Sequence, residues 1–81
     1  MHYEHVATLN TTLQQDLELT AFNRDEKFAA KYLGLAIQTL RGYRQRGIGP
    51  EYRRIGGRLV KYSVASLRSW AESQPRGGRA A

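Results

Sequence analysis

Two groups of side chains in this sequence are of the right type and spacing to do chemistry, and both suit a polyanion. The first is Gln38, Thr39, Arg41, Arg44 and Gln45, polar residues that recur at helical intervals between Ile37 and Gly47. Arg can bond twice to guanine, Gln twice to adenine, and Thr can bond a base edge or touch a thymine methyl. The second is Arg53, Arg54, Arg58 and Lys61 around Gly56 and Gly57. Cations beside a narrow glycine tip suit phosphate oxygens, and an Arg at such a tip suits a narrow minor groove, where the negative potential is enhanced. Four charges of one sign are more than the protection of an exposed strand edge requires.

These groups need elements to hold them. Asp25 is a candidate N-cap ahead of Phe28, Ala29, Tyr32 and Leu33, which share one helical face, and Gly34 supplies the stop. A second helix starts near Ala36, with Ile37, Leu40 and either Tyr43 or Arg44 as its inward positions, and ends at Gly47. On that register Gln38, Thr39, Arg41, Arg44 and Gln45 form an exposed polar face. Two short helices joined by a tight turn with a glycine make a helix-turn-helix, whose second element ordinarily enters the major groove. Gly42 weakens that helix by about 1 kcal/mol relative to Ala. A small outward residue there would let the backbone lie close to a ligand or simply relieve crowding.

Gly47 to Pro50 is too rich in breakers to be helical. Tyr52 to Ile55 and Arg58 to Tyr62 then read as two strands around a two-residue Gly56-Gly57 turn. Ile55, Val60 and Tyr62 are expected to face the helices, leaving Arg54, Arg58 and Lys61 toward solvent. Ser63 is a candidate N-cap for a last helix with Val64, Leu67 and Trp70 on one face, and Trp70 is expected to anchor the core. The predicted fold is mainly α with a small β-hairpin, a winged helix-turn-helix over residues 24–73. Residues 74–81 have no apolar pattern and are expected to form a disordered basic tail. Residues 1–23 are read as an N-terminal arm. Val6, Leu9, Leu13 and Leu17 could form a helical stripe, while Leu17, Leu19 and Ala21 alternate as a strand would; helix is preferred.

Composition agrees with a polyanionic partner. The 81 residues carry 13 Lys and Arg against 7 Asp and Glu, a formal charge of +6, with a sequence pI near 10.2. The charge is polarised, because Glu4, Asp16 and Glu18 stand alone before Arg24 and every cation follows. A chain of this length buries one thin core, so function is expected at the surface. There is no Cys, which excludes a disulfide framework and a cysteine-based zinc site and agrees with a reducing cytoplasm; the expected location is cytoplasmic, nucleoid-associated. No apolar run approaches the roughly 20 residues that span a bilayer. A basic membrane-surface helix is not expected, since the cations are split between a short helix and a hairpin.

His2, Glu4 and His5 resemble a fragment of a metal site but have no further Cys or His to complete it, and no metal or other cofactor is expected. Both His lie in the arm, so no Ser, Thr or Lys has an identifiable base partner, and the chain is not expected to be an enzyme.

The stretch from Asp25 to about Glu72 resembles the small winged helix-turn-helix proteins that include excisionases, or recombination directionality factors, and prophage-type regulators, with MerR-like DNA-binding domains as more distant relatives. The residues that carry the resemblance are Ala29-Ala30-Lys31-Tyr32-Leu33-Gly34-Leu35, Thr39-Leu40, Gly47, Arg54-Ile55-Gly56-Gly57-Arg58, Lys61-Tyr62, Leu67 and Trp70. Ala36, Tyr43 and Ser66 stand where the family commonly has Ser or Thr, Trp and an acidic residue. The resemblance implies sequence-specific binding of double-stranded DNA by several copies side by side, bending of an attachment site, and a partner integrase, of the tyrosine or serine recombinase type, that excises a mobile element. It implies, as an alternative, a transcription regulator of a prophage or integrative element. A protein-interaction module whose charge only keeps it soluble is the reading from a different class; it predicts little affinity for duplex DNA.

Overall fold

The computed structural model describes residues 16–77. Within them a short π-helical turn, Asp16–Thr20, is followed by helix α1, Glu26–Leu33, and helix α2, Ile37–Arg46. Strands β1, Tyr52–Ile55, and β2, Leu59–Tyr62, form an antiparallel hairpin, and helix α3, Val64–Glu72, closes the order. Three helices and a hairpin in this sequence are a winged helix-turn-helix, as expected.

Local chemistry sets the helix ends. The Asp25 carboxylate accepts from the Phe28 N–H at 2.8 Å, satisfying one of the donors that open α1. Gly34 stops the helix in the left-handed region, φ 71°, and lets Leu35 N–H return to the Ala30 carbonyl at 2.9 Å. The turn is therefore only three residues long before α2 begins at Ile37. Ala36 offers α2 no side-chain cap. Ser63 and Ser66 form a reciprocal capping box at the start of α3, so the serine that replaces an acidic residue still caps the helix.

The core draws on all three α-helices and the hairpin. Ala29 and Ala30 from α1, Leu40 from α2, Tyr62 from β2 and Leu67 from α3 are buried, with Phe28, Leu33, Ile37, Tyr52 and Val60 packed around them. Two adjacent alanines allow α1 to approach both other helices closely.

The hairpin departs from expectation in two linked ways. Ile55 pairs with Leu59, so the loop is Gly56-Gly57-Arg58, one residue longer than the two-residue turn. Both glycines have positive φ, 66° and 80°. The longer loop sets Tyr52 opposite Tyr62 and Arg54 opposite Val60, and residues opposite one another share a face. A two-residue turn would put Lys61 opposite Tyr52 and destroy the tyrosine pair, whose rings lie 6.1 Å apart. Ile55 consequently turns away from the helices and is 47% exposed.

Trp70 also differs from expectation, since it lies half-buried beside the core. Its Nε1–H donates to the Ile48 carbonyl at 2.9 Å and its ring meets Tyr43 at 5.8 Å, so it ties down the breaker-rich segment after α2. Arg24 exchanges two backbone hydrogen bonds with Tyr62, at 2.9 and 2.7 Å, which joins the segment before α1 to the hairpin. No local sequence pattern announces that pairing.

Of the N-terminal arm, the described residues before Phe22 hold one π-helical turn, Asp16–Thr20. The Asn23 amide donates to the Leu17 carbonyl at 2.9 Å, and the turn packs on α3. Val6, Leu9 and Leu13, the His2-Glu4-His5 group and residues 78–81 lie outside the described residues. Among the described residues no helix is long and apolar enough to cross a membrane.

Candidate nucleic-acid interface

Helix α2 and the hairpin enclose an open cleft of about 440 Å³. Arg41 and Arg44 contribute from α2, and Arg54, Arg58 and Lys61 from the hairpin. Asp25 and Glu26 at the start of α1 close one end. Two groups of cations that lie far apart in sequence thus share one concave surface. This follows from the fold: α1 packs on α2 and on β2, so the hairpin is held beside α2.

Gln38, Thr39 and Gln45 are exposed on α2 and do not line the cleft. Arg53 also lies outside it. Its guanidinium sits 4.6 Å from the Phe22 ring and within 3.0 Å of the Glu51 carboxylate. Arg54 lies over the Tyr52 ring at 5.6 Å. Among the described residues Arg54, Arg58 and Lys61 make no ion pair, so their charge is uncompensated at short range.

Arg44 is the main departure from the expected polar face. Its side chain is 14% exposed and its Nη1 donates to Tyr62 Oη at 3.2 Å and to Glu26 Oε1 at 3.4 Å. Both inward alternatives for α2 are therefore realised, Tyr43 against Trp70 and Arg44 against the hairpin. The buried tyrosine hydroxyl requires a partner, and Arg44 is the donor within reach. Arg41 is more open, at 42%, but its guanidinium is also engaged, through two bonds to Glu26 of 3.0 and 2.6 Å.

Glu26 is the residue that the sequence pattern did not single out. Its i+3 and i+4 neighbours on α1 are Ala29 and Ala30, so it has no partner on its own helix. An unmatched carboxylate at the first helical position is the one signal that could have flagged it. Hydrogen bonding to Arg41 is the main cause that holds its carboxyl below the ordinary glutamate range, assisted by the charges of Arg41 and Arg44 and opposed by partial burial. A carboxylate with a depressed folded value stabilises the fold fully above its unfolded value and loses that contribution as pH falls through the folded one. The unfolding free energy of the protein is therefore expected to drop on acidification below the ordinary glutamate value of about 4.3. Glu26→Gln should flatten that limb in urea melts taken across the acid range; a limb of unchanged steepness would remove Glu26 as its source.

Gly42 lies on the open side of α2. A Cβ built there meets only Arg46 Nη2, at 4.0 Å, so the glycine relieves no crowding within the protein. Gly42→Ala is expected to raise stability by up to about 1 kcal/mol. It is also expected to weaken binding to duplex DNA, because the added methyl stands where the helix would approach the groove. A variant that gains stability and keeps full affinity would show that no close approach occurs at this point.

Comparison with known proteins agrees with this geometry. The family model of a helix-turn-helix domain matches residues 28–75, more than half of the chain and nearly all of α1 through α3. No curated protein matches the chain.

Proposed function

Because the chain belongs to this helix-turn-helix domain family, which includes excisionase-like small DNA-binding proteins, we propose that it is a recombination directionality factor. In this role it binds double-stranded DNA sequence-specifically, bends an attachment site, and promotes integrase-mediated excision of a mobile element without cutting or joining DNA itself. The observation that carries the DNA-binding part is the shared cationic cleft between α2 and the hairpin. Exposed Gln38, Thr39 and Gln45, with Arg41, present donors and acceptors to the major groove. Arg54, Arg58 and Lys61 meet phosphates beside the Gly56-Gly57 tip, which lies along the minor groove, while Arg53, paired with Glu51, contributes little. Arg44 acts behind this surface, joining α1 to the hairpin through Glu26 and Tyr62.

The excisionase part rests on the resemblance carried by the residues from Ala29 to Trp70. Bending a short site costs about 1–6 kcal/mol, and the hairpin's phosphate contacts offset that cost. One small domain reads few base pairs, so neighbouring copies are expected to associate on repeated sites. The test is integrase-dependent excision measured with and without the protein. Excision that requires the protein supports the proposal; excision that proceeds equally without it overturns it. Occupancy confined to promoters across the genome would favour the transcription-regulator alternative.

A further inference from the structure

Arg41 is held by a carboxylate along one edge of its guanidinium, and its side chain is 42% exposed. Nε–H donates to Glu26 Oε1 at 3.0 Å and Nη2–H to Oε2 at 2.6 Å, so the carboxylate grips the guanidinium side-on with two parallel bonds. A guanidinium has five N–H donors in a fixed plane. The side-on grip uses two, and leaves the parallel Nη1–H and Nη2–H pair at the distal end unengaged by it. That distal pair has the spacing that guanine O6 and N7 accept. Glu26 is itself anchored, since Oε1 also receives the Arg44 Nη1 bond and Arg44 is held by Tyr62 Oη. A chain of contacts therefore runs from the buried core to the tip of Arg41.

We infer that Glu26 is a specificity-determining positioning residue, which fixes the Arg41 guanidinium with its distal edge outward so that it reads a guanine in the major groove. The inference rests on the DNA-binding reading above and deepens it. An unrestrained arginine would satisfy any nearby phosphate as readily as a base edge. Held by Glu26, the same side chain has its charge partly compensated and its guanidinium fixed in direction. The carboxylate thus weakens attraction to DNA in general while favouring one base. A lysine could not substitute for Arg41, because its three donors converge on one atom and offer no second parallel edge.

The opposed signs make the role testable. Wild-type protein is used to select a preferred duplex from a randomised pool, and affinity is then measured for that duplex and for a scrambled one. Glu26→Ala is expected to bind the scrambled duplex more tightly, since a negative charge beside the DNA is lost, and to lower the ratio of selected to scrambled affinity on the order of tenfold. Arg41→Ala should lower the ratio comparably, and the double variant should be no worse than Arg41→Ala alone. Glu26→Gln keeps the side-chain shape and one acceptor, so it retains part of the ratio and serves where the alanine variant fails to fold.

A ratio unchanged in the Glu26 variants, with Arg41→Ala still losing it, overturns the positioning role and leaves DNA recognition intact. A parallel rise in both affinities overturns it as well, reducing Glu26 to a charge that restrains binding. If wild-type protein selects no sequence from the pool, both this inference and the DNA-binding reading fail together.

Discussion

Replacing Tyr62 by Ala is expected to abolish cooperative folding of the domain. Tyr62 is one of the largest fully buried side chains and stands where four parts of the chain meet. Its ring packs against Tyr52, its hydroxyl accepts from Arg44, and its backbone pairs with Arg24. Truncating a buried aromatic side chain to Ala costs about 3–5 kcal/mol. Small domains sit near the low end of a stability range that begins at about 5 kcal/mol, so the loss is most of what is available. Far-UV circular dichroism in urea should show no folded baseline for Tyr62→Ala. Tyr62→Phe keeps the ring and removes only the acceptor, and should cost about 1 kcal/mol with cooperativity intact. An alanine variant that unfolds at the wild-type midpoint would show that the core is not organised around this residue.

The second large effect concerns salt. Removing Arg54, Arg58 and Lys61 together should leave the fold standing and take away most generic affinity for duplex DNA. These three line the cleft without an acidic partner among the described residues. Each cation that neutralises a phosphate steepens the dependence of log K on log salt by about 0.9. Three such contacts contribute a slope of about −2.7, equivalent to a loss of about 40-fold in affinity between 50 and 200 mM salt. The triple alanine variant should therefore bind weakly and with a slope shallower by about 2.7 than the wild type. Fluorescence anisotropy across a salt series measures both quantities. An identical slope in the two proteins would place the DNA elsewhere on the molecule. Arg53 is a suitable control, because its charge is already shared with Glu51 and its guanidinium faces Phe22. Arg53→Ala should change the slope by much less than any of the three.

The two effects depend on different layers of the molecule. Tyr62 holds the hairpin against the helices, and the hairpin's cations share the cleft with α2 only because the hairpin is held there. Arg44 connects the layers, since it contacts Tyr62 on one side and Glu26 on the other.

What could be read along the chain was whatever neighbouring residues decide between themselves. Asp25 caps α1 because its carboxylate reaches an N–H three residues on, and Gly34 and Gly47 end helices because positive φ costs glycine nothing. The periodicity of Leu40 and Leu67 similarly marked the inward faces of two helices, and the Gly56-Gly57 pair marked a turn. These signals established the order of elements and the clustering of charge. They also assigned most of the exposed polar and cationic side chains to one short helix and one hairpin.

Packing between distant residues decided the rest. One extra loop residue, Arg58, sent Ile55 outward and paired Tyr52 with Tyr62, a choice made by the aromatic contact and not by the turn dipeptide. Arg44 lies at a position where helical spacing allows either direction, and it turned inward because a buried hydroxyl on another element needed a donor. Trp70 left the core centre because the Ile48 carbonyl offered its indole N–H a partner beside it. Glu26 met Arg41 only when α1 and α2 were folded together. Periodicity records which side of an element is apolar, whereas hydrogen bonds between elements depend on distances that exist only after the chain has closed on itself.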